Sequence, residues 1–445
     1  MSMMKISVLA GTVSLVAMMA GPAAALSPVE ALGSRLFYDA SLSVNGTQSC
    51  AGCHAPEAGF AGSDSATNEG EAVYRGALPN HYGNRKPPTA AYAGGSPKDA
   101  SGSWFGGMFW DGRATGDVLD DPLAEQAQGP FLNPLEQALA NPQVLCAKVR
   151  KSAYAGLFEE VWGTGSLDCA KDEKGVYEKI GKAVAAYERS AEVNPFSSRF
   201  DRFWDEAVKA GRDVTRITCG TGGMGGMGGM GGAMGCPGGK DPDSWISFRG
   251  MGLSDAELQG LATFNDPSRA NCSSCHALKA APGEYPLFTD FGYDNLGVPR
   301  NPANPFYDMP SHWNPDGGEW VDYGLGGYLK SAGYGAEIYE PQLGKFKVPT
   351  LRNVDLRPYP GFVKAYGHNG YFKSLEEVVL FYHWRAMTDA MCGGMGGMVG
   401  CGAMASMFPP PEVDQNRASL GMFPRPQVEN IVLFLKTLSD GEYRK

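Results

Sequence analysis

The pentapeptide Cys50-Ala51-Gly52-Cys53-His54 recurs as Cys272-Ser273-Ser274-Cys275-His276, and no other pattern constrains the chain as strongly. Two thiols three residues apart on one turn can each form a thioether to a haem vinyl group. The His that follows then lies under the iron as proximal ligand. With ten Cys and six His in 445 residues, chance gives roughly 0.003 such matches per chain. A zinc or thioredoxin-like reading of Cys-x-x-Cys is set aside because His follows each copy at once. The pattern predicts two covalently bound c-type haems, one on Cys50, Cys53 and His54, the other on Cys272, Cys275 and His276.

The start of the chain fits export. Lys5 precedes an apolar run from Ile6 to Ala20, and Gly21-Pro22 leads into Ala23-Ala24-Ala25. This is the pattern of a secretory signal over 1–25, cut after Ala25, and the run is short for a membrane span. The expected location is the periplasm, with no stable membrane span. The net charge of −10 argues against nucleic acid and permits docking of a basic or dipolar redox partner. Six Cys are not used by the motifs: Cys146, Cys169, Cys219, Cys236, Cys392 and Cys401. In an oxidising compartment they predict disulfides, and six thiols allow about 15 pairings. The nearest-neighbour set is favoured because its last two pairs each bracket a Gly/Met tract.

The expected fold is mainly α, with two cytochrome c-like haem domains and long loops. Residues 28–38 read as a helix leading into the first motif, with helical patterns again at 134–162 and 175–192. Ser254-Asp255-Ala256-Glu257 and Ser374-Leu375-Glu376-Glu377 are capping boxes that open helices, and a closing helix is expected over Pro426–Leu438. The stretch 55–105, rich in Gly, Pro and Asn, reads as loop. Domains are therefore expected at 26–210 and 244–445, separated by a Gly/Met-rich insertion at 211–243, with a second Gly/Met tract at 391–407.

Several stretches in order along the chain resemble the bacterial dihaem cytochrome c peroxidases and their MauG-like relatives. They include Leu32-Gly33-Ser34-Arg35-Leu36-Phe37-Tyr38, Gly83-Asn84-Arg85-Lys86-Pro87-Pro88-Thr89, Phe109-Trp110-Asp111-Gly112-Arg113, Glu125-Gln126-Ala127-Gln128-Gly129-Pro130, Gly344-Lys345-Phe346-Lys347-Val348-Pro349-Thr350 and Gly367-His368-Asn369-Gly370. The resemblance implies a peroxide-reacting haem at Cys50–His54. Gln126 and, ten residues on, Glu136 would line its reacting face, the carboxylate moving the proton that peroxide cleavage needs. The plain alternative for Glu136 is the exposed start of a helix at Asn133. Trp110 matches an inter-haem relay, with a core Trp as the alternative. Arg113 would orient a haem propionate or hold the Trp110 loop, unless it forms a surface ion pair.

In this family some members close the first haem with a His from the loop after its motif. His81 is the candidate, with an exposed loop His as the alternative. The Cys272–His276 haem would transfer electrons. Its second ligand is expected fourteen residues after His368, which is Tyr382, with His383 as rival and core packing as the bland role. A Ca2+ between the domains is common in the family, but Lys86 stands where an Asn would help bind it.

Met224, Met227, Met230 and Met234 lie in the first Gly/Met tract, Met395 and Met398 in the second. Their thioethers suit Cu(I) or an adaptable docking rim, and a tolerated insertion explains them equally. The expected function is a periplasmic dihaem peroxidase reducing H2O2 with electrons from a small cytochrome c or cupredoxin. The alternatives are a MauG-like, peroxide-dependent oxidase of a partner protein's residues, or a non-enzymatic electron-transfer or copper-handling cytochrome. Self-association into a homodimer is left open.

Overall fold

Two helix crossings, one in each half of the chain, set the architecture. In the first half helix Pro28–Tyr38 packs on helix Glu173–Arg189. In the second half helix Asp255–Asn265 packs on helix Pro426–Lys436. Both leading helices start the same way: the Ser27 N–H donates to the Glu30 carboxylate at 2.7 Å and the Ser254 N–H to that of Glu257 at 2.8 Å. These bonds satisfy an otherwise orphaned donor at each helix start. Both crossings also turn on a glycine. A Cβ on Gly33 would collide with the Ala183 carbonyl, and one on Gly260 with that of Asn430.

The computed structural model describes residues 25–98, 105–220, 236–281, 283–392 and 407–443. Residues 1–24 of the predicted signal, 221–235 and 393–406 of the Gly/Met tracts, and with Cys401 the expected Cys392–Cys401 pair, lie outside the described residues. The fold is mainly helical. Among the described residues its one ladder is the antiparallel pair Tyr293–Asp294 with Phe346–Lys347. Long loops fill the space between helices, as the Gly and Pro content predicts.

Each half has its own apolar core. Leu32, Leu36 and Phe37 meet Ile180, Val184 and Tyr187 in the first, which extends to Val193. Leu258, Leu261 and Phe264 meet Val428, Ile431 and Phe434 in the second. Helix Arg199–Lys209 precedes the boundary expected at 210, yet Phe200, Phe203 and Ala207 are buried in the second core. Residues 134–141, expected to be helical, form turns, and the helices there are Pro142–Lys151 and Ala155–Trp162. Disulfides join Cys146 to Cys169 and Cys219 to Cys236, the first two pairs of the nearest-neighbour set.

A buried ion pair lies within the second half. The Arg352 and Asp201 side chains are both 0% exposed and 2.6 Å apart. Arg352 also donates to the Pro286 carbonyl from Nε at 2.9 Å and from its second guanidinium nitrogen at 2.8 Å. The rings of Tyr92, Phe196, Phe200 and Phe288 surround it. Removing one member of such a pair strands the other charge, which costs about 3–5 kcal/mol. Asp201→Ala should therefore lower unfolding free energy by about that amount, read as a lower urea midpoint. An unchanged midpoint would refute the role given to this pair.

Candidate haem sites and the junction between them

The two Cys-x-x-Cys-His segments sit in matching frames. Each follows its half's leading helix, with Cys50–Cys53 forming one helical turn and Cys272–Ser274 another. The His54 Nδ1–H donates to the Phe60 carbonyl at 3.2 Å and the His276 Nδ1–H to the Phe288 carbonyl at 3.0 Å. A carbonyl can only accept, so each Nε2 keeps its lone pair for a metal. Phe60 and Phe288 both adopt a left-handed φ of 54°, which turns those carbonyls. The Thr89 hydroxyl donates to the Gly59 carbonyl at 2.8 Å and the Thr350 hydroxyl to the Leu287 carbonyl at 2.6 Å. Lys86-Pro87-Pro88-Thr89 and Lys347-Val348-Pro349-Thr350 are thus equivalent, a Lys-x-Pro-Thr repeat that sequence reading passed over.

The residues fit haem. Among the described cysteines, Cys50, Cys53, Cys272 and Cys275 are the unpaired ones. Burial pushes the thiols of Cys53, Cys272 and Cys275 up to about 12. Protonated thiols in apolar surroundings do not favour a thiolate metal centre. Burial also lowers His54 to about 4, so its imidazole is neutral. At the second site Cys272, Cys275, His276 and Tyr382 line a cavity of about 260 Å³ whose walls include Phe372, Val379 and Leu435.

The two sites differ in what faces them. Glu136 lies close enough to Cys50 and Cys53 to raise both thiols electrostatically. It stands in a turn, with its N–H donating to the Asn133 carbonyl at 3.0 Å, and not at a helix start. Burial raises its pKa, while the Arg113 charge and a hydrogen bond with Asn133 lower it. Gln126, on helix Pro122–Leu132, lines a small cavity with Trp110 and Phe109. At the second site Tyr382 takes the corresponding electrostatic position against Cys272 and Cys275, and burial raises its phenol. His383 turns the other way: its Nδ1–H donates to the Phe423 carbonyl at 2.7 Å, and it does not line the cavity of Tyr382. His81 donates from Nδ1 to the Pro79 carbonyl at 2.8 Å and packs edge-on against Trp313.

Trp110 lines both the second-site cavity and the small cavity beside Gln126. Its indole N–H donates to the Lys86 carbonyl at 2.8 Å, and its own carbonyl accepts from the Lys347 N–H at 2.9 Å. The two equivalent loops therefore hold it from both sides. Asp111 next to it receives Arg113 at 2.8 Å and Arg85 at 2.6 Å, and Arg85 forks onto Asp322 at 2.6 and 2.7 Å. Arg113, stacked over Phe109 at 3.7 Å, is placed to hold the Trp110 loop. Arg85 was missed as a junction residue because its partner Asp322 lies 237 residues away.

The residues do not fit a calcium ion at the junction. Lys86 is buried there, its Nζ donating to the Pro87 carbonyl at 2.9 Å. Lys364 lies beside it and donates to the carbonyls of Ala58 at 2.8 Å and of Asn353 and Leu356 at 3.0 Å. Burial lowers Lys86 to about 8 and Lys364 to about 7. Three carbonyls satisfy all three donors of the Lys364 ammonium, so an ammonium occupies carbonyls that a hard cation would need. His368 stacks on Phe346 at 3.5 Å and approaches Glu412 at 3.9 Å, a packing position beside Trp110.

The sequence family described as di-haem cytochrome c peroxidase matches residues 27–209. The methylamine utilization protein MauG of Paracoccus denitrificans (strain Pd 1222) is 32% identical over 426 residues, covering 93% of this chain and 89% of that protein. The cytochrome-c peroxidase IdrP1 of Denitromonas iodatirespirans is 24% identical over 357 residues, covering 79% and 72%. Among solved structures, the diheme peroxidase BthA from Burkholderia thailandensis E264 superposes with a TM-score of 0.63 at 28% identity, covering 94% of this chain and 88% of that one.

The opposed orientations of Tyr382 and His383 give a spectroscopic expectation. Tyr382→Phe should change the ferric absorption spectrum of the second haem, whereas His383→Gln should leave it as in the wild type. The reverse pattern would overturn the assignment of Tyr382 to that site. Exhaustive dialysis against EGTA should leave the melting temperature and both haem spectra unchanged, and a fall in either would show a calcium ion that the lysines were taken to replace.

Proposed function

Since the chain belongs to the di-haem cytochrome c peroxidase and MauG family, we propose that it reduces H2O2 at the Cys50–His54 site with electrons received at the Cys272–His276 site. The overall reaction takes two electrons and two protons per H2O2 and yields two waters. When bound, the two haems supply the redox equivalents and the iron at which the peroxide O–O bond breaks. Glu136 takes a proton from the near peroxide oxygen and returns it to the departing one, and its raised pKa suits it to hold that proton between the two events. Gln126 lines the approach and orients peroxide by hydrogen bonding. Trp110, held between the two loops, offers an indole as relay, and Arg113 with Asp111 keeps that loop in place.

One observation carries the assignment of roles: a buried carboxyl faces Cys50 and Cys53, whereas a phenol faces Cys272 and Cys275. Only the first can move a proton readily near neutral pH. A small periplasmic cytochrome c or cupredoxin is the proposed donor, and the net charge of −10 suits a basic docking face. Export fits this reading, and among the described residues no helix is long and apolar enough to cross a membrane. Tyr382 favours a second reading, in which peroxide oxidises the protein and a residue of a partner protein is the final electron source, because a phenolate ligand stabilises oxidised iron.

Mixing the dihaem protein with H2O2, with and without prior one-electron reduction, separates the two. Rapid oxidation of reduced cytochrome c supports the first reading. A long-lived two-electron-oxidised protein with little donor turnover supports the second. In either case Glu136→Gln should slow reaction with peroxide by about 10²–10⁴-fold in stopped-flow traces. A wild-type rate would remove Glu136 from the proposed role.

A further inference from the structure

His383 and Tyr382 are consecutive but line different cavities. His383, Trp384, Met387, Met422 and Phe423 line a separate open cavity of about 550 Å³ along helix Leu375–Cys392. The His383 Nδ1–H is committed to the Phe423 carbonyl at 2.7 Å. Its Nε2 therefore carries the lone pair and has no hydrogen-bond partner among the described residues. A His fixed by a backbone carbonyl at one nitrogen, with the other free, is the usual arrangement of a metal-ligating imidazole.

Two thioethers share this cavity. Met387 lies one helical turn after His383, on the same face. Met422 comes from the facing segment and is 56% exposed, so its sulfur is not consumed by packing. The cavity lining contains no carboxylate, which leaves hard cations without suitable ligands. Arg425 also lines it, and its charge opposes a divalent ion twice as strongly as a monovalent one. The indole of Trp384 adds an electron-rich face of the kind that attracts a cation, and its Nε1 is buried with no partner among the described residues. One imidazole and two thioethers form a soft donor set that selects Cu(I).

We propose that His383 Nε2, Met387 Sδ and Met422 Sδ form a Cu(I) site, one residue from Tyr382 and about 100° round its helix. The site uses none of the methionines of the Gly/Met tracts and stands apart from the peroxidase reading. Its test is an anaerobic titration of the dihaem protein with Cu(I) in competition with bicinchoninate, followed by X-ray absorption at the copper edge. The wild type should bind one Cu(I) with one nitrogen and two sulfur neighbours. Met387→Leu with Met422→Leu, volume-conserving changes, should weaken that binding by roughly 100-fold. Deletion of 220–235 should leave it intact. Should the double variant lose its haem spectrum, Met422→Ser alone, at an exposed position, should still weaken binding. Wild-type affinity in the Met variants, a sulfur-only shell, or loss of binding on deleting 220–235 would each overturn the site.

Discussion

Trp110 is held by two backbone hydrogen bonds from two copies of one loop. The Lys86 carbonyl accepts from its indole N–H, and the Lys347 N–H donates to its carbonyl. Both loops belong to a repeated frame: His Nδ1 on a Phe carbonyl, the Phe at left-handed φ, and a Thr hydroxyl on the carbonyl just before it. A shift of either half relative to the other would therefore move a motif His, its Lys-x-Pro-Thr loop and one side of Trp110 together. The charged ties at this point, Arg85 to Asp111 within the first half and Arg85 to Asp322 across to the second, resist that shift. Their stability value is modest once desolvation is counted. They sit beside the two loops that bond Trp110.

The same frame yields two different chemical environments because divergence is confined to what packs over it. In the first half a tight turn after helix Pro122–Leu132 brings Glu136 against the thiols. In the second half a long helix brings Tyr382. A turn can aim a short carboxyl into a buried space while its backbone remains bonded, here through the Ala77 N–H on the Glu136 carbonyl at 2.7 Å. A helix instead presents consecutive side chains about 100° apart. That is why Tyr382 faces one cavity and His383, a third of the way round the helix, faces another.

What the sequence made legible was local. The haem motifs, the capping boxes at Ser254 and Ser374, the helix at 28–38 and two of the disulfide pairs are all signalled within a few dozen residues. The helix expected at 134 was not formed, because Asn133 and Pro134 start a turn as readily as a helix and the left-handed Ala138 ends it. The junction was illegible for a different reason. Arg85 with Asp322 and Lys364 with Ala58 are contacts across 237 and 306 residues, and no periodicity or spacing rule reports such pairs. The Lys-x-Pro-Thr repeat was readable in principle, being present twice, but its meaning depends on the carbonyl partners that only the fold supplies.

The charges at the junction are not symmetric in kind. Arg85 and Arg352 meet carboxylates, whereas Lys86 and Lys364 meet only carbonyls. A carbonyl satisfies an ammonium's donors without cancelling its charge, so burial still works against that charge and lowers Lys86 to about 8 and Lys364 to about 7. Arg85 differs: burial works against its charge, but Asp322 and Asp111 outweigh that and raise its pKa. The junction therefore sets ion pairs fixed by geometry beside two buried ammonium groups whose charge burial disfavours.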